Sequence, residues 1–135
     1  MRKQQAIIFG ASTGGKRAYK FYNFKYEIKL FFDNNSLLLG KKIYGKEIVS
    51  IANYQLKSSD MFVIASSRPY EIYDQLMDLG VQDSNIEFAH PDILSGRYDG
   101  VGATQFLVFG LFVLILFLII LWSCGDSIRP HQKKV

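Results

Sequence analysis

The residues best able to do chemistry form a glycine-rich turn near the start of the chain. Residues 10–15 read GASTGG and follow an apolar run, QAIIF, that is typical of a buried strand. A helix that begins after such a turn attracts phosphate, because its first N–H groups are unpaired and glycine lets backbone approach closely. Gly10, Ser12 and Gly15 match the dinucleotide fingerprint G-x-G-x-x-G with serine in the middle position. Asp33 follows 18 residues after Gly15, where an acid bonds ribose hydroxyls.

Two other interpretations of the same turn stay open. From Gly10 to Lys16 the sequence also matches G-x-x-x-x-G-K, which is most of a triphosphate-binding loop. Arg17 then stands where that loop needs a serine or threonine to coordinate magnesium. Alternatively, the glycines only allow a tight turn and close packing of a helix on a strand. The fingerprint with Asp33 favours binding of a dinucleotide or a nucleotide-sugar.

No complete catalytic constellation accompanies the turn. Ser12 fits a G-x-S-x-G nucleophile elbow, but no histidine is placed to activate it. His90 and His131 lie on opposite sides of a long apolar segment, and Cys124 is the single cysteine, so we expect no metal site. We therefore expect no enzymatic activity of the chain on its own.

Alternating strands and helices must position the turn. Turn residues and apolar periodicity divide the chain, and Pro69 and Gly80 mark the two ends of one helix. The alternation predicts an α/β fold, a small doubly wound, Rossmann-like parallel sheet covered on both faces. The predicted elements are strands over residues 5–9, 26–32, 60–65 and 85–89, helices over 16–23, 50–56 and 69–79, and a hairpin or irregular excursion over 42–49.

A membrane segment follows the α/β part. Residues 106–122 read FLVFGLFVLILFLIILW, without a charge, and about 17–25 apolar residues span a bilayer as a helix. We therefore predict a nucleotide-binding domain over residues 1–90, a linker over 91–104, a transmembrane helix over 105–123 and a short basic tail over 124–135. Arg129, Lys133 and Lys134 favour a cytoplasmic tail. The absence of an export signal and the expected cytosolic ligand favour the opposite orientation, with a cytoplasmic domain, which we adopt.

The order of motifs resembles a small Rossmann-like domain found beside bacterial sugar-modifying transferases: methyltransferases, glycosyltransferases and acyltransferases. The resemblance covers residues 5–88 and rests on IIFGASTGGKRAYKF, FFDNN, GKKIYGKEIVS, MFVIASS and YEIYDQLMDLGV. It implies NAD(P) or a nucleotide-sugar as ligand and a role in polysaccharide biosynthesis. By position it implies that Gly10, Ser12, Thr13 and Gly15 hold phosphates, that Asp33 and Asn34 hold the ribose, and that Ser66 lines the crevice. Here a membrane helix replaces the transferase.

The charge distribution bears on partners. Residues 1–57 carry 11 Lys and Arg against 3 Asp and Glu, whereas residues 58–105 carry 2 against 8. The stretch KRAYKFYNFKYEIK mixes cations with aromatics, as single-strand nucleic-acid grooves do, but a solvated face is the simpler interpretation, so we do not expect nucleic acid as a partner. We expect a lipid bilayer and a membrane sugar-modifying enzyme as partners, and assign no oligomeric state. The alternative is a non-catalytic membrane scaffold that acts through its basic face and its helix.

Overall fold

A computed structural model describes residues 2–100 and 103–128 of the 135-residue chain. These residues divide into two units between Tyr98 and Asp99. The first unit contains one mixed sheet and three helices, α1 (Thr13–Tyr22), α2 (Pro69–Asp78) and α3 (Pro91–Leu94). The strands, in chain order, are β1 (Gln5–Phe9), β2 (Glu27–Phe32), β3 (Lys42–Ile43), β4 (Lys46–Val49), β5 (Met61–Ile64) and β6 (Ile86–Phe88).

The sheet has the order β3-β4-β2-β1-β5-β6, and every neighbouring pair except β3–β4 is parallel. Because β1 has β2 on one side and β5 on the other, the chain reverses its direction of winding at β1. In open α/β sheets a ligand crevice lies at such a switch point, beyond the carboxyl ends of the strands. The fold therefore places the loops after β1, β2 and β5 beside one another.

Apolar cores cover both faces of the sheet, as the uninterrupted apolar run in β1 predicts. Ile8 belongs to the core on one face, beneath α1 and α3, and Ile7 to the core on the other face, beneath α2. Both side chains are fully buried. Successive residues of a strand point to opposite faces, so a strand between two helical layers needs an apolar residue at every position.

A β-bulge interrupts the pairing of β1 with β2. Ala6 pairs with Ile28 and Ile7 pairs with Leu30, so Lys29 is an extra residue on β2. Its Nζ lies 2.6 Å from Oδ1 of Asp60, which is the one buried charged side chain in the described part of the chain. Asp60 Oδ2 also accepts the backbone N–H of Lys57, and the Lys29 ammonium lies 5.2 Å from the centre of the Tyr54 ring. A buried carboxylate is stable only with such partners.

The ion pair also determines the direction in which the pKa of Lys29 moves. Burial is the largest single effect on the pKa of the ammonium and lowers it, but the interactions with Asp60 and Tyr54 together outweigh burial, so the net pKa is raised above its ordinary value of 10.5. Lys29 therefore stays charged in the folded chain.

Three elements differ from the sequence prediction. Helix α1 begins at Thr13, three residues earlier than predicted, because the glycines of the turn form its first residues. Strand β4 forms the predicted hairpin with β3 but also joins the sheet as the parallel neighbour of β2. The predicted helix over 50–56 is a single 3-10 turn, Ile51–Asn53.

Residues 91–94, predicted as linker, form α3, and the side chain of Leu94 packs into the core beneath α1.

The second unit contains α4 (Ala103–Ile128), within which Leu107–Gly125 is a 19-residue segment of mean hydropathy 3.0 with none of it buried. By length and composition this segment could cross a bilayer. Arg129, Lys133 and Lys134 lie outside the described residues, as do His131 and most of the predicted tail.

Candidate functional site

The turn between β1 and α1 accepts only glycine at its first position. Gly10 has φ +119°, a conformation that side chains disfavour, and a Cβ there would lie 2.5 Å from the carbonyl oxygen of Ala65. The Gly10 N–H donates to the carbonyl of Phe32 at 2.8 Å. The turn is therefore packed directly against the ends of β2 and β5.

The glycines at the start of α1 let the helix approach this turn. A Cβ on Gly15 would lie 1.8 Å from the carbonyl oxygen of Gly10, and a Cβ on Gly14 would lie 3.0 Å from that of Ala65. The absence of a side chain at Gly15 therefore allows α1 to pack closely against β1, as the third glycine of the fingerprint does. Only a residue without a side chain brings the helix N-terminus this close to the sheet.

The N-terminus of α1 is open to a ligand. Ser12 is the N-cap residue, but its side chain makes no capping hydrogen bond, and both Ser12 and Thr13 are exposed. The first intrahelical hydrogen bond is donated by Lys16, to the carbonyl of Ser12. The N–H groups of the first turn consequently point out of the helix without intrahelical partners, and that turn contains no acidic side chain.

Asp33, predicted to bind ribose, is bonded to the turn itself. Its Oδ2 accepts the N–H of Ala11 at 2.8 Å, and its Oδ1 accepts the N–H of Asn35 at 2.7 Å. A carboxylate has about four acceptor positions, so two of them are used by backbone here. The carboxylate thus ties the loop after β2 to the loop after β1.

The other two predicted residues have neighbours of their own. Asn34 exchanges side-chain amide hydrogen bonds with Gln75 of α2, with its Nδ2 2.9 Å from Oε1. Ser66 Oγ accepts the N–H of Arg68 at 3.1 Å, which leaves its hydroxyl hydrogen able to donate. The structure thus brings Gly10, Ser12, Thr13, Gly15, Asp33 and Ser66 to one end of the sheet, and turns the amide of Asn34 toward α2.

A pocket beside the turn was missed by the sequence interpretation. It has a volume of about 480 Å³ and combines cationic, aromatic and aliphatic side chains. We call it the lysine pocket; its lining residues are Ala11, Lys16, Leu38, Lys41, Lys42, Ile43, Tyr44 and Ile48. The signal that could have found it is the run of lysines around the β3–β4 hairpin, GKKIYGK, which folds back toward the start of α1.

A model of the family described as C2185-like, N-terminal, matches residues 2–87. No curated protein sequence matches the chain. Among solved structures the chain is similar to that of RSP, a Rex-family repressor, with 19% identity and a TM-score of 0.50 over 82% of this chain and 62% of that one. At this identity the similarity shows the fold alone. The chain spans less than two thirds of the repressor's length.

Two further structures of RSP are similar at TM-scores of 0.48. One is a complex with beta-NADH, with 20% identity over 78% of this chain and 65% of that one. The other is a complex with beta-NAD+ and operator DNA, with 14% identity over 95% of this chain and 64% of that one.

These comparisons bear on three expectations. The exclusion of nucleic acid as a partner is contradicted, because the chain shares its fold with a Rex-family repressor. Neither the family description nor these structures includes a sugar-modifying enzyme, so that part of the resemblance has no counterpart among them. The Rossmann-like α/β fold is confirmed.

Proposed function

We propose that this chain, which belongs to the C2185-like, N-terminal family, binds a nicotinamide dinucleotide, NAD(P), at the turn of residues 10–15. One observation carries the proposal. The start of α1 presents unpaired N–H groups at a place where two glycines, Gly10 and Gly15, have no room for a Cβ. That combination binds a pyrophosphate, because the helix end carries partial positive charge and the backbone can reach the phosphate oxygens.

The residues around the turn fit such a ligand. The hydroxyl groups of Ser12 and Thr13 are exposed beside the helix end and can donate to phosphate oxygens. Serine is tolerated at the middle position of the fingerprint because φ is −91° at Ser12, a conformation that any residue adopts. Asp33 retains acceptor positions for a ribose hydroxyl, and Ser66 can line the crevice beyond β5. The bound dinucleotide would supply either hydride chemistry or a redox signal.

We further propose that α4 anchors the domain in a membrane, with the domain on the cytoplasmic side, where NAD(P) is found. The supporting observation is that Leu107–Gly125 is a continuous helical segment of 19 residues with a mean hydropathy of 3.0, and none of it is buried. Transfer of such a helix from water to lipid is strongly favourable. A role as accessory to a membrane sugar-modifying enzyme remains a prediction from the sequence resemblance.

The test of this proposal is the affinity of the full chain for NAD+, measured by isothermal titration calorimetry with the chain in phosphatidylcholine nanodiscs. The informative variant is Thr13→Glu. An acid in the first turn of a helix favours the fold, because it complements the helix dipole, but it repels a phosphate. We expect the melting temperature to be kept and the affinity for NAD+ to fall roughly tenfold or more, a loss of about 1.4 kcal/mol.

Ser84→Glu is the matched control, because Ser84 is exposed in the loop before β6, away from the carboxyl ends of the strands. It makes the same change in charge, and we expect the affinity to stay within about twofold, since exposed charges separated by more than a Debye length are screened. Equal affinities of the Thr13→Glu and wild-type chains would overturn the site. Binding of a uridine-diphosphate sugar but not of NAD+ or NADP+ would overturn the ligand.

A further inference from the structure

We propose that the lysine pocket binds the adenosine end of the dinucleotide and selects a ligand that carries a phosphate on the adenosine ribose, that is, NADP rather than NAD. The inference rests on the proposed function, since it assumes that the pyrophosphate lies at the turn of residues 10–15. It adds a binding site whose residues are far from the fingerprint in sequence, Lys41, Lys42 and Tyr44.

The first argument is position. Ala11 belongs both to the turn and to the wall of the pocket: its N–H donates to Asp33, and it lines the cavity together with Lys16 of α1. A ligand whose phosphates lie at the start of α1 can therefore extend into the pocket without crossing another element. The volume of about 480 Å³ lies within the range of sites that hold small molecules and cofactors, about 300–1,000 Å³.

The second argument is charge. Lys16, Lys41 and Lys42 line one cavity, and none of them has an ion pair within residues 2–100 and 103–128. Lys25 and Lys29 are different, because they bond to Glu87 and Asp60. Three cations facing one cleft repel each other and raise the local concentration of anions, so an anionic group of a ligand is stabilised there.

The third argument is the shape and chemistry of the wall. Leu38, Ile43 and Ile48 give the cavity an aliphatic side, and the Tyr44 ring, about half exposed, stacks on Tyr19 with 4.7 Å between ring centres. An aliphatic wall with an aromatic ring accommodates a purine base, and adjacent lysines accommodate a phosphate. The lining thus matches a phosphorylated nucleoside rather than a free inorganic anion.

The fourth argument is backbone conformation. Tyr44 is the one non-glycine residue with positive φ among the described residues, at +49°, and Gly45 follows at +75°. Two-residue hairpin turns of this kind favour asparagine, aspartate or glycine at the first position. A tyrosine held there against that preference, by its stack on Tyr19, indicates that the ring has a use at this position.

Asp33 opposes a ribose phosphate, since both are anionic, and the three lysines must outweigh it. Two backbone N–H groups already bond to the Asp33 carboxylate, which offsets part of its charge. Glu47, the cross-strand partner of Lys42, is a second anion near the pocket. The three pocket lysines still outnumber Asp33 and Glu47, so the balance of these charges favours the additional phosphate.

The test compares the affinities of NAD+ and NADP+ for the full chain in phosphatidylcholine nanodiscs by isothermal titration calorimetry. We expect NADP+ to bind at least tenfold more tightly than NAD+. In the double variant Lys41→Gln, Lys42→Gln we expect the two affinities to become equal within about twofold, mainly through weaker binding of NADP+. The control is Lys20→Gln, Lys57→Gln, which removes two exposed lysines outside the pocket and should keep the preference.

Each outcome has a distinct meaning. Equal affinities of NAD+ and NADP+ for the wild-type chain would overturn this inference and leave the proposed function standing. A preference for NADP+ that persists in the Lys41 and Lys42 double variant would place the ribose phosphate elsewhere and overturn the inference. Absence of binding of either dinucleotide at millimolar concentration would overturn the proposed function and, with it, the inference.

Discussion

The N–H of Ala11 donates a 2.8 Å hydrogen bond to the Asp33 carboxylate, and this bond joins the loops that follow the first two strands. The bond connects the glycine-rich turn to the acid that the fingerprint assigns to the ribose. Asp33 consequently has two functions that can be separated by experiment. It holds the turn in place by accepting the backbone N–H of Ala11, and it presents its remaining acceptor positions to a ligand.

Replacement of Asp33 tests both functions. Asp33→Ala leaves the N–H of Ala11 without its acceptor, so we expect the free energy of unfolding in urea to fall by about 1–2 kcal/mol while the fold is retained. We expect the affinity for NAD+, which carries a free ribose hydroxyl, to fall by a larger factor than this loss explains, because a partner of that hydroxyl also disappears. Asp78→Ala, at an exposed site on α2, should change either quantity by less than about 0.5 kcal/mol. An unchanged affinity for NAD+ in Asp33→Ala would remove Asp33 from the site.

Gly15 tests the packing of α1 on the turn. Because a Cβ at Gly15 would lie 1.8 Å from the Gly10 carbonyl oxygen, Gly15→Ala must displace backbone. We expect the free energy of unfolding to fall by about 3 kcal/mol or more. Gly100→Ala is the control, since no atom of the described residues lies within 4 Å of a Cβ there. Equal stabilities of the two variants by urea denaturation would show that the helix does not approach the turn as described.

The buried ion pair predicts a dependence of stability on alkaline pH. The pKa of Lys29 is raised in the folded chain, so the pair stabilises the fold fully below the ordinary lysine pKa of about 10.5 and loses this effect as pH rises through the folded pKa. We expect the difference in unfolding free energy between the wild-type chain and Lys29→Met to be about 3–5 kcal/mol at pH 7. The difference should shrink above about pH 10.5.

Chemical denaturation at several pH values between 7 and 11.5 measures this difference. The double variant Lys29→Met, Asp60→Leu removes both charges, and replacement of a buried pair by apolar residues is often neutral or stabilising. It should therefore regain most of the stability that Lys29→Met loses. A difference between the wild-type chain and Lys29→Met that stays constant up to pH 11.5 would contradict the assigned role of the ammonium.

Helix α4 predicts stable association with membranes. Leu114→Lys with Leu118→Lys places two charges on one side of the apolar segment, each of which costs about 2.5–3.5 kcal/mol at the centre of a bilayer. We expect the wild-type chain to remain in the membrane fraction after a carbonate wash and this variant to be released. Leu114→Ala with Leu118→Ala keeps the segment apolar and should be retained. Release of the wild-type chain by carbonate would exclude a spanning helix.

The strands and α2 could be predicted from sequence because their signals are local. Short apolar runs predict β1 and β5. Helix α2 begins at Pro69, as predicted, and ends at Asp78, two residues before Gly80. The start of α1 could not be predicted, because glycine disfavours helix interiors in general, and here close packing on Gly10 overrides that preference.

The site could be predicted only in part, because some of its residues are close together in sequence and others are brought together by the fold. The fingerprint residues are consecutive, so their gathering at one turn follows from the sequence. The lysine pocket joins Lys16 with residues 41–44, and only the pairing of β4 beside β2 brings them together. Likewise, the bond between Asn34 and Gln75 spans 41 residues, and no local pattern indicates it.

The bulge at Lys29 makes strand β2 adjustable in length. On either side of it, Ile28 faces the core beneath α1, while Leu30 and Phe32 face the core beneath α2. Without the extra residue, Ile28 and Leu30 would be consecutive, and consecutive residues of a strand point to opposite faces. Ile28 and Leu30 already point to opposite faces, so neither would have to change sides. A chain one residue shorter at position 29 would therefore keep Phe31 and Phe32 on their present sides. Removal of Lys29 would therefore shorten β2 by one residue and leave the order of the strands in the sheet unchanged.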